Sequence, residues 1–237
     1  MKIFHRINKS LRFLGVQIKK YPNVDLRRRL ALMKLHNIEM VFDVGANIGQ
    51  YANELFYNNF EGEIHSFEPM NYEFQVISKA ARNLNKWSVH NFALGDKTEK
   101  LEINVSQNKF SSSILTLTNV HIAAANESVI IGKEAIEVKR LDEFVKEIQV
   151  SDKNLMLKID TQGYEYNVLL GAGDYLDQFK LIQVELSLVK LYEGEKDFQH
   201  IIDFLRKRNF KLVSIEPGFY NEFSGELLQF DGIFCRI

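Results

Sequence analysis

Acidic residues and glycines stand at a spacing that can hold a nucleotide-like ligand. Asp43 lies in a short apolar run, Gly45 and Gly49 follow it, and Glu68 stands 25 positions after Asp43 at the end of a second apolar run. Glycine lets the backbone bend closely against a ligand and lets a following helix approach a sheet. A carboxylate at the tip of the second strand can accept hydrogen bonds from both hydroxyls of a ribose. An ordinary strand-to-helix turn with a surface glutamate is the alternative, and the flanking runs favour the nucleotide cradle.

The chemistry of this turn separates two kinds of nucleotide. Asn47 stands where the dinucleotide pattern G-x-G-x-x-G has its middle glycine, and an acid precedes the turn. A carboxylate such as Asp43 would repel a pyrophosphate, whereas it would attract a ligand that carries a sulfonium and an ammonium. The turn therefore favours S-adenosylmethionine over NAD.

Side chains at the ends of later strands are candidates for catalysis, because ligands bind beyond the carboxyl ends of parallel strands. Asp160 and Lys158 lie at the end of one such strand, Glu185 lies in the next, and Asp231 lies in the last. Asp160 could face either the donor or the acceptor, and its alternative role is to cap the next helix. Lys158 would be costly to bury alone, so Asp160 or Glu185 is its expected partner, with a purely structural ion pair as the alternative.

Other side chains offer a base, a metal site or a local structural role. His121 could act as a base near neutral pH, although a lone loop histidine more often has no such role. Asp160, Glu185 and Asp231 carry hard oxygen ligands that suit magnesium, but their spacing does not require a metal. Glu165 is expected to interact with the dipole of the helix that begins there.

Strands and helices alternate along the chain, which predicts an α/β fold with helices on both faces of a sheet. Residues 106–134 interrupt this alternation and are predicted to form a long loop that covers the substrate. The last two strands are expected to form an antiparallel hairpin. Strands are predicted at 40–44, 63–68, 87–92, 100–105, 135–139, 154–160, 180–187, 210–215 and 227–236. Helices are predicted at 25–37, 48–58, 71–84, 141–148, from 165, and at 197–208.

Charge is distributed unevenly along the 237 residues. The formal net charge is −1, yet residues 1–36 carry +9 and the remainder carries −10. Residues 1–20 place five apolar side chains on one predicted helical stripe among basic ones, as in a helix that lies on an anionic membrane. A helix packed across the sheet, or a dimer contact, is the alternative. The stripe consists of Ile3, Ile7, Leu11, Leu14 and Ile18.

Length and composition suggest a basic helical extension at 1–37 followed by one domain at 38–237. No apolar run is long enough to span a membrane, and the charged N-terminus lacks the apolar core of a secretory signal. Cys235 is the single cysteine, which excludes an internal disulfide and fits a reducing compartment. We expect a cytoplasmic protein, with peripheral contact at the inner membrane face as an option.

From about residue 38 to its end the chain resembles the FkbM family of S-adenosylmethionine-dependent methyltransferases. The segments that carry the resemblance, in order, are VFDVGANIGQ at 41–50, FEP at 67–69, NFALGD at 91–96, RLDEF at 140–144, LKIDTQGYE at 157–165, QVELSL at 183–188, LYEG at 191–194 and LLQFDGIFCR at 227–236. The resemblance implies a Rossmann-like class I methyltransferase fold with a seven-stranded, mostly parallel sheet and an antiparallel last strand. Gln162 departs from the family, since many relatives carry glutamate there.

The resemblance also implies roles for individual residues. Glu68 would bind the ribose of the donor, and Ala93 and Leu94 would lie beside its adenine. Asp160 is also predicted to bind the donor, but from its place at the end of a strand, where it could face either the donor methyl group or the acceptor. The residues implied to bind the donor through the turn are Asp43, Gly45, Ala46, Asn47, Gly49 and Gln50. Asp160 is our first candidate for the general base and His121 the second, and Lys158 and Glu185 complete the predicted catalytic set.

The implied reaction is O-methylation of a hydroxyl on a sugar, a glycan or a glycosylated natural product. Methylation of a nitrogen or of a protein side chain is the nearest alternative, because donor binding does not reveal the acceptor. A nicotinamide-dependent oxidoreductase and a non-catalytic nucleotide-binding protein are alternatives of other classes. We expect no nucleic-acid partner, and a homo-oligomer stays open.

Overall fold

The computed structural model describes residues 2–148, residue 150 and residues 152–237. The helices are α1 (Lys2–Leu11), α2 (Val24–Leu35), α3 (Gln50–Tyr57), α4 (Asn71–Ala81), α5 (Asn119–Ala124), α6 (Leu141–Phe144), α7 (Glu165–Gly171) and α8 (Phe198–Lys207). The strands are β1 (Met40–Val44), β2 (Glu63–Phe67), β3 (Trp87–His90), β4 (Ala93–Leu94), β5 (Glu99–Ser106), β6 (Ile130–Lys139), β7 (Leu155–Ile159), β8 (Phe179–Ser187), β9 (Phe210–Pro217) and β10 (Gln229–Arg236). Short 3₁₀ helices cover Arg12–Leu14, Asn126–Ser128 and Gly173–Gln178.

Within the described residues, seven strands form the main sheet in the order β3-β2-β1-β7-β8-β10-β9. The pairs from β3 to β8 are parallel, whereas β10 is antiparallel to both β8 and β9. The predicted mostly parallel sheet with an antiparallel last strand is confirmed, as is the hairpin between β9 and β10. The order reverses direction at β1, so the carboxyl ends of β1, β2 and β7 face one crevice.

Both faces of the sheet are covered, which explains why its central strands are apolar almost throughout. All five residues of β1 and of β7 are buried. Phe42 and Val44 belong to one core cluster, whereas Val41 belongs to a second cluster that includes Leu55 and Ile77. Alternate residues of one strand thus enter different cores, as expected for a sheet between two helical layers.

A second sheet corrects our prediction for residues 106–134. Strand β6 begins at Ile130 rather than at 135, and in the described residues it pairs with β5 antiparallel and with β4 parallel. The segment between β5 and β6 contains α5, whose Thr118 side chain accepts a hydrogen bond from the His121 N–H. The predicted long loop is therefore partly regular structure, because side-chain caps and ladder hydrogen bonds satisfy its backbone.

Several helical segments are shorter than predicted, and two of them show the physical reason. Helix α6 ends at Phe144 rather than at 148, because Lys146 and Glu147 donate to carbonyls only three residues earlier. Helix α1 ends at Leu11, and a 3₁₀ turn then leads to Gly15 in the left-handed conformation at φ 68°. The predicted single helical stripe through Ile18 is therefore wrong beyond this turn.

Candidate active site

A cleft of about 430 Å³ opens at the carboxyl ends of β1, β2 and β7. This volume lies in the range of small-molecule sites. The predicted site residues that line it are Gly45, Ala46, Asn47, Gln50, Glu68, Ala93, Leu94, Lys158 and Asp160. The predicted site residues outside its lining are Asp43, Gly49, His121 and Glu185. Most of the residues predicted to bind the donor therefore converge, whereas only part of the predicted catalytic set reaches the cleft.

Two glycines let the β1–α3 turn pack as closely as it does. Gly45 has φ 76°, and a Cβ there would lie 1.8 Å from the carbonyl oxygen of Asp160. Gly49 has φ 87°, and a Cβ there would lie 2.8 Å from the Trp87 ring and 2.9 Å from Ile77. Gly45 thus brings the β1 and β7 ends together, while Gly49 lets α3 approach the core, as predicted from the sequence.

Glu68 is fixed beside the turn with its carboxylate at the cleft. Its Oε2 accepts a hydrogen bond from the Asn47 N–H at 2.8 Å, and its Oε1 accepts one from the Met70 N–H at 2.9 Å. Burial raises the pKa of Glu68 to about 7 despite these hydrogen bonds. A carboxylate has about four acceptor positions, so two remain for ligand hydroxyls.

Part of the cleft lining is apolar. Ala93 and Leu94 lie there, as predicted, together with wall residues that the sequence did not reveal. These further residues are Phe67, Met70, Ile103, Phe110, Ile114 and Tyr164. Phe110 and Ile114 belong to the predicted cover, so this segment does line the site. Such a surface suits a flat aromatic base.

Lys158 and Asp43 form a buried ion pair at the base of the cleft. The Lys158 Nζ lies 3.2 Å from Oδ1 of Asp43 and 3.6 Å from Oδ2 of Asp160. Burial alone would lower the pKa of Lys158, but the charges of Asp43 and Asp160 more than offset it and raise the pKa. The predicted Lys158–Asp160 pair is confirmed, Asp43 is a second partner, and Glu185 is not a partner within the described residues.

Asp43 is fully buried beneath the cleft lining. Its Oδ2 accepts a hydrogen bond from the Ser66 hydroxyl at 3.2 Å, while Oδ1 faces Lys158. The Lys158 ammonium, which lines the cleft, is therefore the group that connects the Asp43 carboxylate to it. The predicted direct contact of Asp43 with a donor ammonium stays a prediction that this placement does not favour.

Gln162 bridges two carboxylates beyond the end of β7. Its amide Nε2 donates to Oδ1 of Asp160 at 2.8 Å and to Oε2 of Glu185 at 2.9 Å, while its Oε1 accepts from the Tyr192 hydroxyl at 2.5 Å. These contacts fix both the amide orientation and the position of Asp160. In the part of the chain that the structure describes, no three His, Cys, Asp or Glu side chains are placed to hold a metal ion.

Glu185 lies behind Gln162 and outside the cleft lining. Its Oε2 also accepts a hydrogen bond from Gln229 at 2.9 Å. Burial, followed by repulsion from Asp160, raises the pKa of Glu185 well above its ordinary value. Asp231 does line the cleft, and burial raises its pKa to about 6. Glu185 therefore supports Asp160 through Gln162, whereas Asp231 faces the site directly.

His121 packs outside the cleft lining. Its Nε2 lies 3.2 Å from the Ser111 hydroxyl, and its ring packs 5.1 Å from Tyr192 and 5.5 Å from Phe219 between ring centroids. Burial lowers the pKa of His121 to about 4. Its role as base stays a prediction that this geometry does not favour, because another side chain would have to carry the proton to it.

Glu165 organises the turn after β7. Its Oε1 accepts hydrogen bonds from the backbone N–H groups of Thr161 at 2.8 Å and of Gly163 at 3.1 Å. These contacts hold the turn that precedes α7, and the predicted interaction of Glu165 with the helix dipole stays a prediction. They also leave the Asp160 carboxylate free of the capping role that we considered for it, so that it faces the cleft.

The cleft lining includes a polar residue from outside the predicted domain. Arg29, on α2, donates to Glu216 at 2.6 Å and to Glu54 at 3.1 Å, and its guanidinium lies 5.0 Å from the centre of the Tyr51 ring. The Tyr51 hydroxyl in turn donates to Gln183 at 2.9 Å. No pattern in the sequence distinguishes Arg29 from its basic neighbours, so only the fold identifies it.

Comparisons with known proteins agree with this arrangement. A family model described as the Methyltransferase FkbM domain matches residues 43–212. The 2-O-methyltransferase NoeI of Sinorhizobium fredii is 24% identical over 188 residues, which are 75% of this chain and 74% of that protein. Methyltransferase 1 of Beauveria bassiana is 24% identical over 189 residues, with the same two shares.

Solved structures of methyltransferases are more distant. An rRNA methylase from Streptococcus thermophilus has a TM-score of 0.48 and 9% identity, covering 94% of this chain and 99% of its own. Magnesium protoporphyrin IX methyltransferase from Synechocystis with bound SAM has a TM-score of 0.44 and 9% identity, covering 99% and 95%. With TM-scores below 0.5, these structures add nothing to the description of the site. The fold of the chain is defined by the order of its own strands.

Proposed function

The chain belongs to the FkbM methyltransferase family, and from this premise we propose that it transfers the methyl group of S-adenosylmethionine to a hydroxyl of a sugar, a glycan or a glycosylated natural product. The observation that carries the proposal is a cleft that holds both Glu68, near the β1–α3 turn, and Asp160, at the end of β7. The first residue suits a ribose and the second suits a reacting hydroxyl. S-adenosylmethionine supplies the electrophilic methyl group when it is bound.

The donor half of this proposal follows from the residues around Glu68. Glu68 retains acceptor positions for two ribose hydroxyls, and the apolar wall at Ala93 and Leu94 suits an adenine. The turn from Gly45 to Gln50 and the Lys158 ammonium would face the amino-acid part of the donor. The family assignment also removes the nicotinamide-dependent oxidoreductase from the alternatives.

Donor affinity is expected to depend on the ionisation of Glu68. With a pKa of about 7, Glu68 is about nine-tenths ionised at pH 8 and about one-tenth ionised at pH 6. Since the ionised form accepts two hydroxyls without donating a proton, the donor Kd should rise by up to about tenfold from pH 8 to pH 6. Isothermal titration calorimetry at both pH values measures this change.

Glu68→Gln is the matched control for this titration, because it keeps the side-chain size and removes the ionisable group. The variant should bind the donor more weakly at pH 8, and the pH dependence should disappear. A variant that keeps the full pH dependence would show that another group causes it.

The acceptor half rests on the polar side chains around Asp160. A saccharide hydroxyl is a weak acid, so a carboxylate that takes its proton as the new bond forms assists the reaction. Asp160 is held for this task by the Lys158 ammonium and the Gln162 amide. Arg29, Gln183 and Asp231 add polar groups that suit a ligand rich in hydroxyls. The relative from Sinorhizobium fredii is a 2-O-methyltransferase, which supports methylation at oxygen.

A labelled donor identifies the acceptor directly. The protein should be incubated with isotopically labelled S-adenosylmethionine and a panel of glycans, and mass spectrometry should locate the methyl group. We expect label at a sugar oxygen. Label at a nitrogen or on a protein side chain would contradict the proposal while leaving the methyltransferase assignment intact.

A further inference from the structure

The N-terminal segment forms a hook that the catalytic proposal does not use. We define the basic hook as residues 7–21, which comprise the end of α1, the turn through Gly15 and the returning chain. The Asn8 side chain holds this shape, because its Oδ1 accepts from the Ile18 N–H at 2.8 Å and its Nδ2 donates to the Ile18 carbonyl at 2.9 Å. The turn also contains the hydrogen bond from the Val16 N–H to the Leu11 carbonyl.

The tip of the basic hook exposes large apolar side chains. Phe13 is 93% exposed and Leu14 is 69% exposed, and Val16 and Ile18 on the returning chain are exposed as well. No residue from 7 to 21 is buried. The alternative that this segment packs across the sheet therefore does not hold for these residues. Contiguous exposed apolar groups are characteristic of a surface that a partner covers.

The charge of the hook identifies the kind of partner. Residues 1–24 contain six Lys or Arg and no Asp or Glu. Among the ion pairs of the described residues, none includes Lys9, Arg12, Lys19 or Lys20. These four side chains flank the apolar tip in the sequence, and all four are exposed. The surface thus combines an apolar tip with uncompensated positive charge.

We propose that the basic hook binds an anionic lipid surface by inserting Phe13 and Leu14 among the lipids while its lysines and arginine contact the headgroup phosphates. Apolar insertion and electrostatic attraction add in such interfacial anchors. Pairing of two hooks would bring like charges together and leave them uncompensated, whereas an anionic lipid surface compensates them. In the described residues, no helix is long and apolar enough to cross a membrane.

Vesicle sedimentation of the full chain tests this proposal. The probes are vesicles of phosphatidylcholine alone and vesicles that also contain phosphatidylglycerol, each at low and at high salt. We expect binding to the anionic vesicles at low salt, weaker binding at high salt and much weaker binding to phosphatidylcholine alone.

Two variants separate the two contributions of the hook. Lys19→Glu with Lys20→Glu should weaken binding to anionic vesicles by at least about tenfold, because it replaces attraction by repulsion. Phe13→Ser with Leu14→Ser should weaken binding at high salt in particular, where the apolar part dominates. The matched control is Lys207→Glu with Lys211→Glu, which reverses two exposed lysines elsewhere and should retain binding within about twofold.

Other outcomes would overturn the proposal. One is a lack of binding to anionic vesicles at low salt. Another is an equal loss of binding in the variant Lys19→Glu with Lys20→Glu and in the control variant Lys207→Glu with Lys211→Glu. A lipid-free dimer that both hook variants convert to a monomer would show that the occupant is a second copy. Light scattering measures that mass, and donor affinity of each variant verifies the fold independently of the acceptor.

Discussion

Replacement of Asp160 by asparagine is expected to lower kcat by about two to four orders of magnitude, the usual contribution of a general base. The asparagine would keep the size of the side chain and could still pair with the Gln162 amide through its oxygen. It could not take the proton of the acceptor hydroxyl. The ion pair of Lys158 with Asp43 would remain, so the cleft should keep its shape.

The split between binding and rate makes this result specific. The donor Kd, measured by calorimetry, should stay within about threefold, while kcat falls. Glu185→Gln is the matched control, because Glu185 is linked to Asp160 through Gln162 but lies outside the cleft lining. We expect that variant to lose less than about tenfold in kcat. If Asp160→Asn retained normal kcat, Asp160 would not be the base. If Glu185→Gln lost as much as Asp160→Asn, the loss of kcat could not be assigned to Asp160 alone.

The sequence revealed those parts of the site that depend on local backbone chemistry. Gly45 and Gly49 were recognisable because the close approach of backbones and a positive φ both require glycine. Glu68 and Asp160 were recognisable because a parallel sheet places the ends of its strands at one edge. The central parallel strands themselves followed from their apolar runs, which two-sided burial requires.

The rest of the site depends on tertiary contacts that no local pattern encodes. Arg29 reaches the cleft because α2 packs beside Glu216, which is 187 positions away in the chain. Gln162 could be identified as a departure from the family, but its bridge between Asp160 and Glu185 joins the turn after β7 to strand β8. His121 lies in a segment that was predicted to be a loop, and its burial against Phe219 follows only from the fold.

Replacement of Asp43 by asparagine is expected to lower the free energy of unfolding by about 3 kcal/mol at pH 7, because it removes one partner of a buried ion pair. Lys158 would stay buried with only Asp160 opposite, at 3.6 Å. Asparagine retains the volume and can still accept the Ser66 hydrogen bond, so neither a cavity nor a lost hydrogen bond accounts for the change. Urea denaturation with an unchanged m-value measures it.

An exposed ion pair of equal length provides the control. Lys133 and Glu102 are also 3.2 Å apart but largely exposed, so Glu102→Gln should change the unfolding free energy by less than about 1 kcal/mol. Adding Lys158→Met to Asp43→Asn should recover much of the lost stability, since no unpaired cation then remains. If Asp43→Asn instead kept full stability and lost donor binding, Asp43 would contact the donor directly. Stability and donor affinity measured on one variant therefore distinguish a carboxylate that holds Lys158 in place from one that binds the donor itself.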